Sequence, residues 1–143
     1  MRKRTIAREL VLKILYQADI RKESIHSLSE EFLASVDIED SQEIFEFVRI
    51  LLSGVEKNLT EIDQKITQYA SNWHLDRMAV IDRNVLRLGI LELLYMEDIP
   101  SKVTINEAIE LAKRFGDVES GKFVNGILDK ALKSKEPSHE KPS

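Results

Sequence analysis

The chain has 143 residues, 43% of them apolar, and a net charge of −4, which suits one domain with a sizeable hydrophobic core. It contains no cysteine, which excludes disulfide frameworks, thiolate zinc sites and cysteine nucleophiles together. No apolar run nears the roughly 18 residues of a membrane span, and the N-terminus is too polar for a secretory signal, so a soluble, cytoplasmic chain without a membrane partner is expected.

Charge is unevenly spread. Residues 1–8 hold Arg2, Lys3, Arg4 and Arg8 with no acid, leaving −8 on the remainder. A basic patch on an acidic body points to one localised anion-binding face; the plain alternative is a solvated chain end. From Thr5 onward, Ile6, Leu10, Ile14 and Ala18 recur at spacing four, with Val11 and Leu15 widening the stripe, so the first helix starts here. Arg4 and Arg8 share a face outside that stripe, and Tyr16 follows two turns later. A second helix over Ser24–Val36 buries Ile25, Leu28, Phe32 and Leu33. After the acidic turn Asp37–Ser41, a third carries Ile44, Phe47, Val48, Leu51, Leu52 and Val55. Thr60 is a candidate cap for a fourth, with Ile62, Ile66 and Tyr69.

The chain breaks at Ser71-Asn72-Trp73-His74, and Asp76 is the expected N-cap of a fifth helix over Arg77–Met96. That helix is apolar almost all round, and Gly89 inside it implies close contact with another helix. Pro100 ends the link. Thr104-Ile105-Asn106-Glu107 fits a capping box, and Gly116 is the expected left-handed stop. The last helix opens near Asp117 and runs to about Leu132; residues 133–143, with Pro137 and Pro142, read as a disordered tail. The expected fold is all-α: six to seven helices in two small bundles, about 1–58 and 59–132, with Trp73 anchoring their junction.

Catalytic chemistry finds little purchase. His26, His74 and His139 have no second ligand at helical spacing, so neither a metal site nor a cofactor is expected. What remains is a recognition surface. Phe115 and Phe123 flank the link between the last two helices among Lys113, Arg114 and Lys122, and basic residues interleaved with aromatics let bases stack while phosphates are neutralised. Phe123 is open between core residue and stacking platform. Gly121 and Gly126 sit in a helix interior, where glycine costs roughly 1 kcal/mol relative to alanine. Such a cost is offset by close approach of a neighbouring helix or a ligand; packing is expected for Gly126, and Asn125 can bond a base edge or the neighbouring helix, the helix being favoured.

Trp73-His74-Leu75-Asp76-Arg77, then Asp82-Arg83-Asn84-Val85-Leu86-Arg87, resembles the central signature of the NusB family of bacterial transcription antitermination factors. Asp98-Ile99-Pro100, Ile105–Lys113 and Lys122-Phe123-Val124-Asn125-Gly126-Ile127-Leu128-Asp129 continue it in order, and the resemblance covers residues 3–132. It implies two roughly perpendicular helical bundles and a non-enzymatic factor that pairs with a small-subunit ribosomal protein, NusE. The pair would bind boxA-type single-stranded RNA and join an RNA polymerase antitermination complex on ribosomal RNA operons. By motif position, the resemblance implies that Arg2, Lys3, Arg4, Arg8, Tyr16, Lys122 and Phe123 face RNA. It also implies that Asp82 and Glu119, read as surface acids, lie toward the ribosomal protein or its junction with RNA. Monomer and homodimer both occur in the family. Some RNA cytosine methyltransferases carry such a domain ahead of a cofactor-binding one, but no Gly-rich fingerprint or catalytic cysteine occurs in this sequence. The rival reading is a protein-interaction adaptor without direct RNA binding.

Overall fold

A computed structural model describes the backbone of residues 2–140 and the side chains of residues 2–135. The described residues form α1 (Lys3–Arg21), α2 (Ile25–Ala34), α3 (Ser41–Tyr69), α4 (Val80–Tyr95), α5 (Ser101–Phe115) and α6 (Ser120–Glu140), with a short 3-10 turn at Leu75–Arg77. No strand occurs among them. The chain divides into two compact units, residues 1–58 and 59–143.

In the N-terminal unit, α1 is buried around most of its circumference, through Ala7, Leu10, Val11, Leu12, Ile14, Leu15 and Ala18. Lys22, at φ 56°, closes it in the left-handed region and donates its amide to the Ala18 carbonyl. Ser24 caps α2 by accepting the Ser27 amide at 3.1 Å, satisfying an amide that the first helical turn leaves unpaired. Arg49 of α3 grips Glu30 of α2 with two 3.0 Å hydrogen bonds. The pair is exposed, so it orients the helices more than it stabilises them.

The third and fourth helices expected from periodicity follow one another without a loop as the two segments of α3, divided by a kink at Asn58 (φ −113°, ψ 15°). Asn58 Nδ2 donates to the Gly54 carbonyl at 2.9 Å, a side-chain bond that competes with the helical backbone. Thr60 lies inside the second segment of α3, two residues past the kink, and its side chain makes no cap.

In the C-terminal unit α4 is central, with Val85, Leu86, Leu88, Ile90, Leu91 and Leu93 all at most 2% exposed. α4, α5 and α6 pack on one another. At Gly89 α4 lies tight against α6: a Cβ there would lie 2.9 Å from Leu128 Cδ1. Arg87 holds the second segment of α3 through paired bonds to Asp63 at 2.8 and 3.1 Å.

Two expected helix starts fall elsewhere, and one stop, Gly116, ends α5 where expected but in another conformation. α4 begins at Val80 after Ala79, and Asp76 sits in the 3-10 turn. α5 begins at Ser101 after Pro100, whose fixed φ suits a helix entry. Thr104 therefore lies within α5, 2% exposed, and its hydroxyl donates to the buried carboxylate of Glu92 at 2.9 Å; the capping box does not form because a tertiary partner takes that hydroxyl. Gly116 is extended (φ −96°, ψ −159°), not left-handed. Glycine is needed there for space, since a Cβ would approach the Ala112 carbonyl to 2.7 Å.

α6 continues past Leu132. Lys133 pairs with Asp129 at 3.1 Å, Ser134 Oγ lies 2.8 Å from the Tyr69 hydroxyl, and Lys135 Nζ donates to the Leu93 carbonyl at 2.9 Å. The expected tail thus does not begin at 133, and of that stretch residues 141–143 lie outside the described residues.

Candidate nucleic-acid interface

The four N-terminal cations have different fates. Arg2 and Arg4 are exposed. The Arg4 guanidinium sits 4.3 Å from the centroid of the Phe47 ring, where the ring face attracts it while its outer edge stays wet. Lys3 Nζ is 2.9 Å from Glu43, and that hydrogen bond holds its ammonium above the ordinary lysine range. Arg8 departs most from expectation: it is 3% exposed, with its guanidinium 5.5 Å from the same Phe47 ring. It falls among the buried residues of α1, so it is a poor phosphate ligand. Tyr16 is 38% exposed, and Ile20, one turn further along α1, is 54% exposed.

The link between α5 and α6 is a compact polar corner. Asp117 Oδ1 accepts the Glu119 amide at 2.9 Å and the Ser120 hydroxyl at 3.2 Å, while Ser120 Oγ accepts the Asp117 amide at 3.0 Å. These bonds satisfy amides at the start of α6 that no helical carbonyl reaches. Glu119 is exposed, and Val118 is 93% exposed.

Asp82, read from sequence as a surface acid, is 8% exposed, and its Oδ1 has no hydrogen-bond partner. Burial raises its carboxyl above the usual range, opposed by a hydrogen bond with Ser120 and reinforced by the charge of Asp117. An acid whose folded pKa is raised contributes stability that is fully present below its unfolded value, here 3.8, and lost as pH rises through the folded value. Asp82→Asn removes this titration. The variant is therefore expected to gain stability relative to the parent as pH rises from below 3.8 toward neutrality. Paired urea titrations across that range check it; a difference that does not change with pH would mean that Asp82 ionises in the folded chain as freely as in the unfolded one.

Beyond this corner, α6 presents Lys122, Phe123, Asn125 and Gly126. Lys122 and Asn125 are exposed and Phe123 is half-buried. Trp73 meets Phe123 in a T-shaped contact, ring centroids 5.6 Å apart. Expected as a structural anchor, Trp73 is 53% exposed; much of its ring faces water. Arg83 holds the turn that carries it, reaching the Leu75 and Asp76 carbonyls at 3.5 Å. Gly121 is buried against Lys113, whose Cγ would lie 3.1 Å from a Cβ there. Gly126 reverses the packing expectation: it is exposed, with nothing within 4 Å of a would-be Cβ, and exposed Asn125 is not spent on helix packing.

Within the C-terminal unit, Asp82 meets Ser120 beside Glu119, and Lys122 and Phe123 follow on the next turn of α6 with Trp73 at their side. Sequence reasoning missed the outward face of Trp73, because a lone tryptophan near an apolar helix is ordinarily core. The only signal available was its polar setting, Ser71-Asn72 before it and His74 after.

A model of the NusB family matches residues 5–133. A transcription antitermination protein NusB from Pseudothermotoga lettingae is 40% identical over 99% of this chain and 99% of its own. One from Chloroherpeton thalassium is 43% identical over 85% of this chain, which spans only 57% of that relative's length. Among solved structures, antitermination factors NusB and NusE in complex with dsRNA include a chain 30% identical to this one. It is matched over 94% of this chain and 98% of its own, with a TM-score of 0.85. With ordered motifs, helical fold and full-length relatives in agreement, the chain belongs to the NusB family.

Proposed function

We propose that the chain is a transcription antitermination factor that binds boxA-type single-stranded RNA together with the ribosomal protein NusE, in the cytoplasm and without catalysing a reaction. The observation that carries this reading is the exposed set on α6, where Lys122 lies next to Phe123 and Phe123 meets the half-exposed ring of Trp73. A cation beside open aromatic faces suits unpaired bases, which a duplex keeps stacked and out of reach. The similar protein crystallised with NusE and dsRNA supports NusE as the partner and RNA as the class of ligand, while the single-stranded form rests on the open aromatic rings. Glu119, exposed at the start of α6, faces the ribosomal protein; Asp82 acts from behind it, through Ser120, as part of the polar corner that fixes that end of the helix. Arg2, Arg4 and Tyr16 add contacts from α1.

Salt dependence tests direct RNA contact. Arg2, Arg4 and Lys122 are the exposed candidates, since Glu43 engages Lys3 and Arg8 is buried. At roughly 0.7 per neutralised phosphate, these three should steepen the fall of log affinity with log salt by about 2 beyond the slope of NusE alone, and any further cation on α6 should steepen it more. Replacing Arg2 and Arg4 by alanine should remove about 1.4 of that increment. Filter-binding titrations with boxA RNA and NusE measure both slopes. An adaptor that touches no RNA would leave the slope of the NusE–RNA pair unchanged on addition of this chain, and the reading would fail.

A further inference from the structure

Gly126 has no role inside the chain. Its backbone φ is not positive, and a Cβ would meet nothing within 4 Å, so neither conformation nor packing calls for glycine. In an exposed helical position it only weakens the helix relative to alanine. Its neighbours along the same face are Lys122 one turn before and Lys130 one turn after, both exposed and neither ion-paired among the described residues. Two free ammonium groups thus bracket a stretch of bare backbone, over a span of about 12 Å at helical rise. Phe123 lies beside this row and carries Trp73 against it. Two cations favour a polyanion, a missing side chain lets it come close, and an adjoining open ring offers a base somewhere to stack.

We propose that the ribose–phosphate backbone of single-stranded RNA runs along the Lys122–Gly126–Lys130 row of α6, closest at Gly126, with a base on Trp73. The proposal rests on the RNA-binding reading above and names where the strand lies. Lys130 and Trp73 become RNA contacts, and Gly126 is kept as glycine by the ligand.

The test uses the full chain with NusE and fluorescein-labelled single-stranded boxA RNA. Binding is followed by anisotropy, and Trp73 emission is read separately, since it is the sole tryptophan. RNA should quench Trp73. Gly126→Ala should raise the melting temperature, whereas Gly126→Leu, with open space for its side chain, should melt no lower than the parent and bind RNA about tenfold more weakly, the order of one lost base stack. Lys130→Ala should weaken binding in the same direction. If the parent binds no RNA, the RNA reading itself fails. If the parent binds normally but Trp73 emission is unchanged, or Gly126→Leu binds like the parent, the strand does not lie here and the proposal alone is overturned. Loss of NusE binding by Gly126→Leu, with RNA affinity kept, would give the row to the protein partner and overturn it equally.

Discussion

Leu128→Ala is expected to destabilise the chain by about 3–4 kcal/mol, the cost of a cavity at a fully buried leucine. Leu128 is 0% exposed and lies directly over Gly89. The closeness of that contact makes a second, sharper forecast. Gly89→Ala alone puts a methyl 2.9 and 3.1 Å from the two Leu128 methyls, so overpacking should cost about 1–2 kcal/mol, partly offset by the better helix propensity of alanine. In the Leu128→Ala background the same methyl enters the space vacated, and Gly89→Ala should recover about 1 kcal/mol. Urea titrations of the four proteins close the cycle. Additivity within about 0.5 kcal/mol would mean that α4 and α6 do not meet at these two residues.

The helical pattern was legible because burial follows spacing: the Ile6–Leu10–Ile14–Ala18 stripe and the all-round apolar run of α4 need no knowledge of partners. Gly89 was legible for the same reason, as a small residue on a helix with no exposed side. Thr104 and Asp82 were not legible because each has its partner far along the chain, whereas Gly116 is set by atoms only four residues away on either side. Thr104 and Glu107 have capping-box spacing, yet Glu92 takes the threonine hydroxyl. Gly116 follows the last turn of α5 as a left-handed stop would, yet glycine is required there by the approach of Ala112 and Ser120. Asp82 in the first turn of α4 looks like any acid that favours a helix N-terminus, and only the fold buries it.

The candidate site was half legible. Lys122 and Phe123 stood out as a cation beside an aromatic, but spacing alone could not tell a half-open ring from a core one. Arg8 shares a helical face with Arg4 by spacing and is nonetheless buried, although both guanidinium groups lie near the one Phe47 ring. Gly126 departs from expectation in the opposite sense. Its apolar sequence neighbours Val124, Ile127 and Leu128 point to the core while Gly126 points to solvent, a consequence of the 3.6-residue turn that adjacency in sequence hides.

The central claim is that the α6 surface at Lys122 and Phe123 holds RNA, and Phe123→Ala tests it most directly. The ring is half-buried and edge-on to Trp73, so its removal should cost only about 1–2 kcal/mol of stability, below the 3–5 kcal/mol of a fully buried phenylalanine. As a stacking platform it should carry about 1–3 kcal/mol of RNA affinity, a loss of roughly tenfold or more. Melting curves and boxA RNA titrations with NusE, run on the same preparations of parent and variant, separate the two quantities. The expected result is a loss of affinity of roughly tenfold or more in the folded fraction, with a stability loss of no more than about 2 kcal/mol. A stability loss of about 3–5 kcal/mol with unaltered affinity in the folded fraction would contradict it, placing Phe123 in the core and the RNA elsewhere.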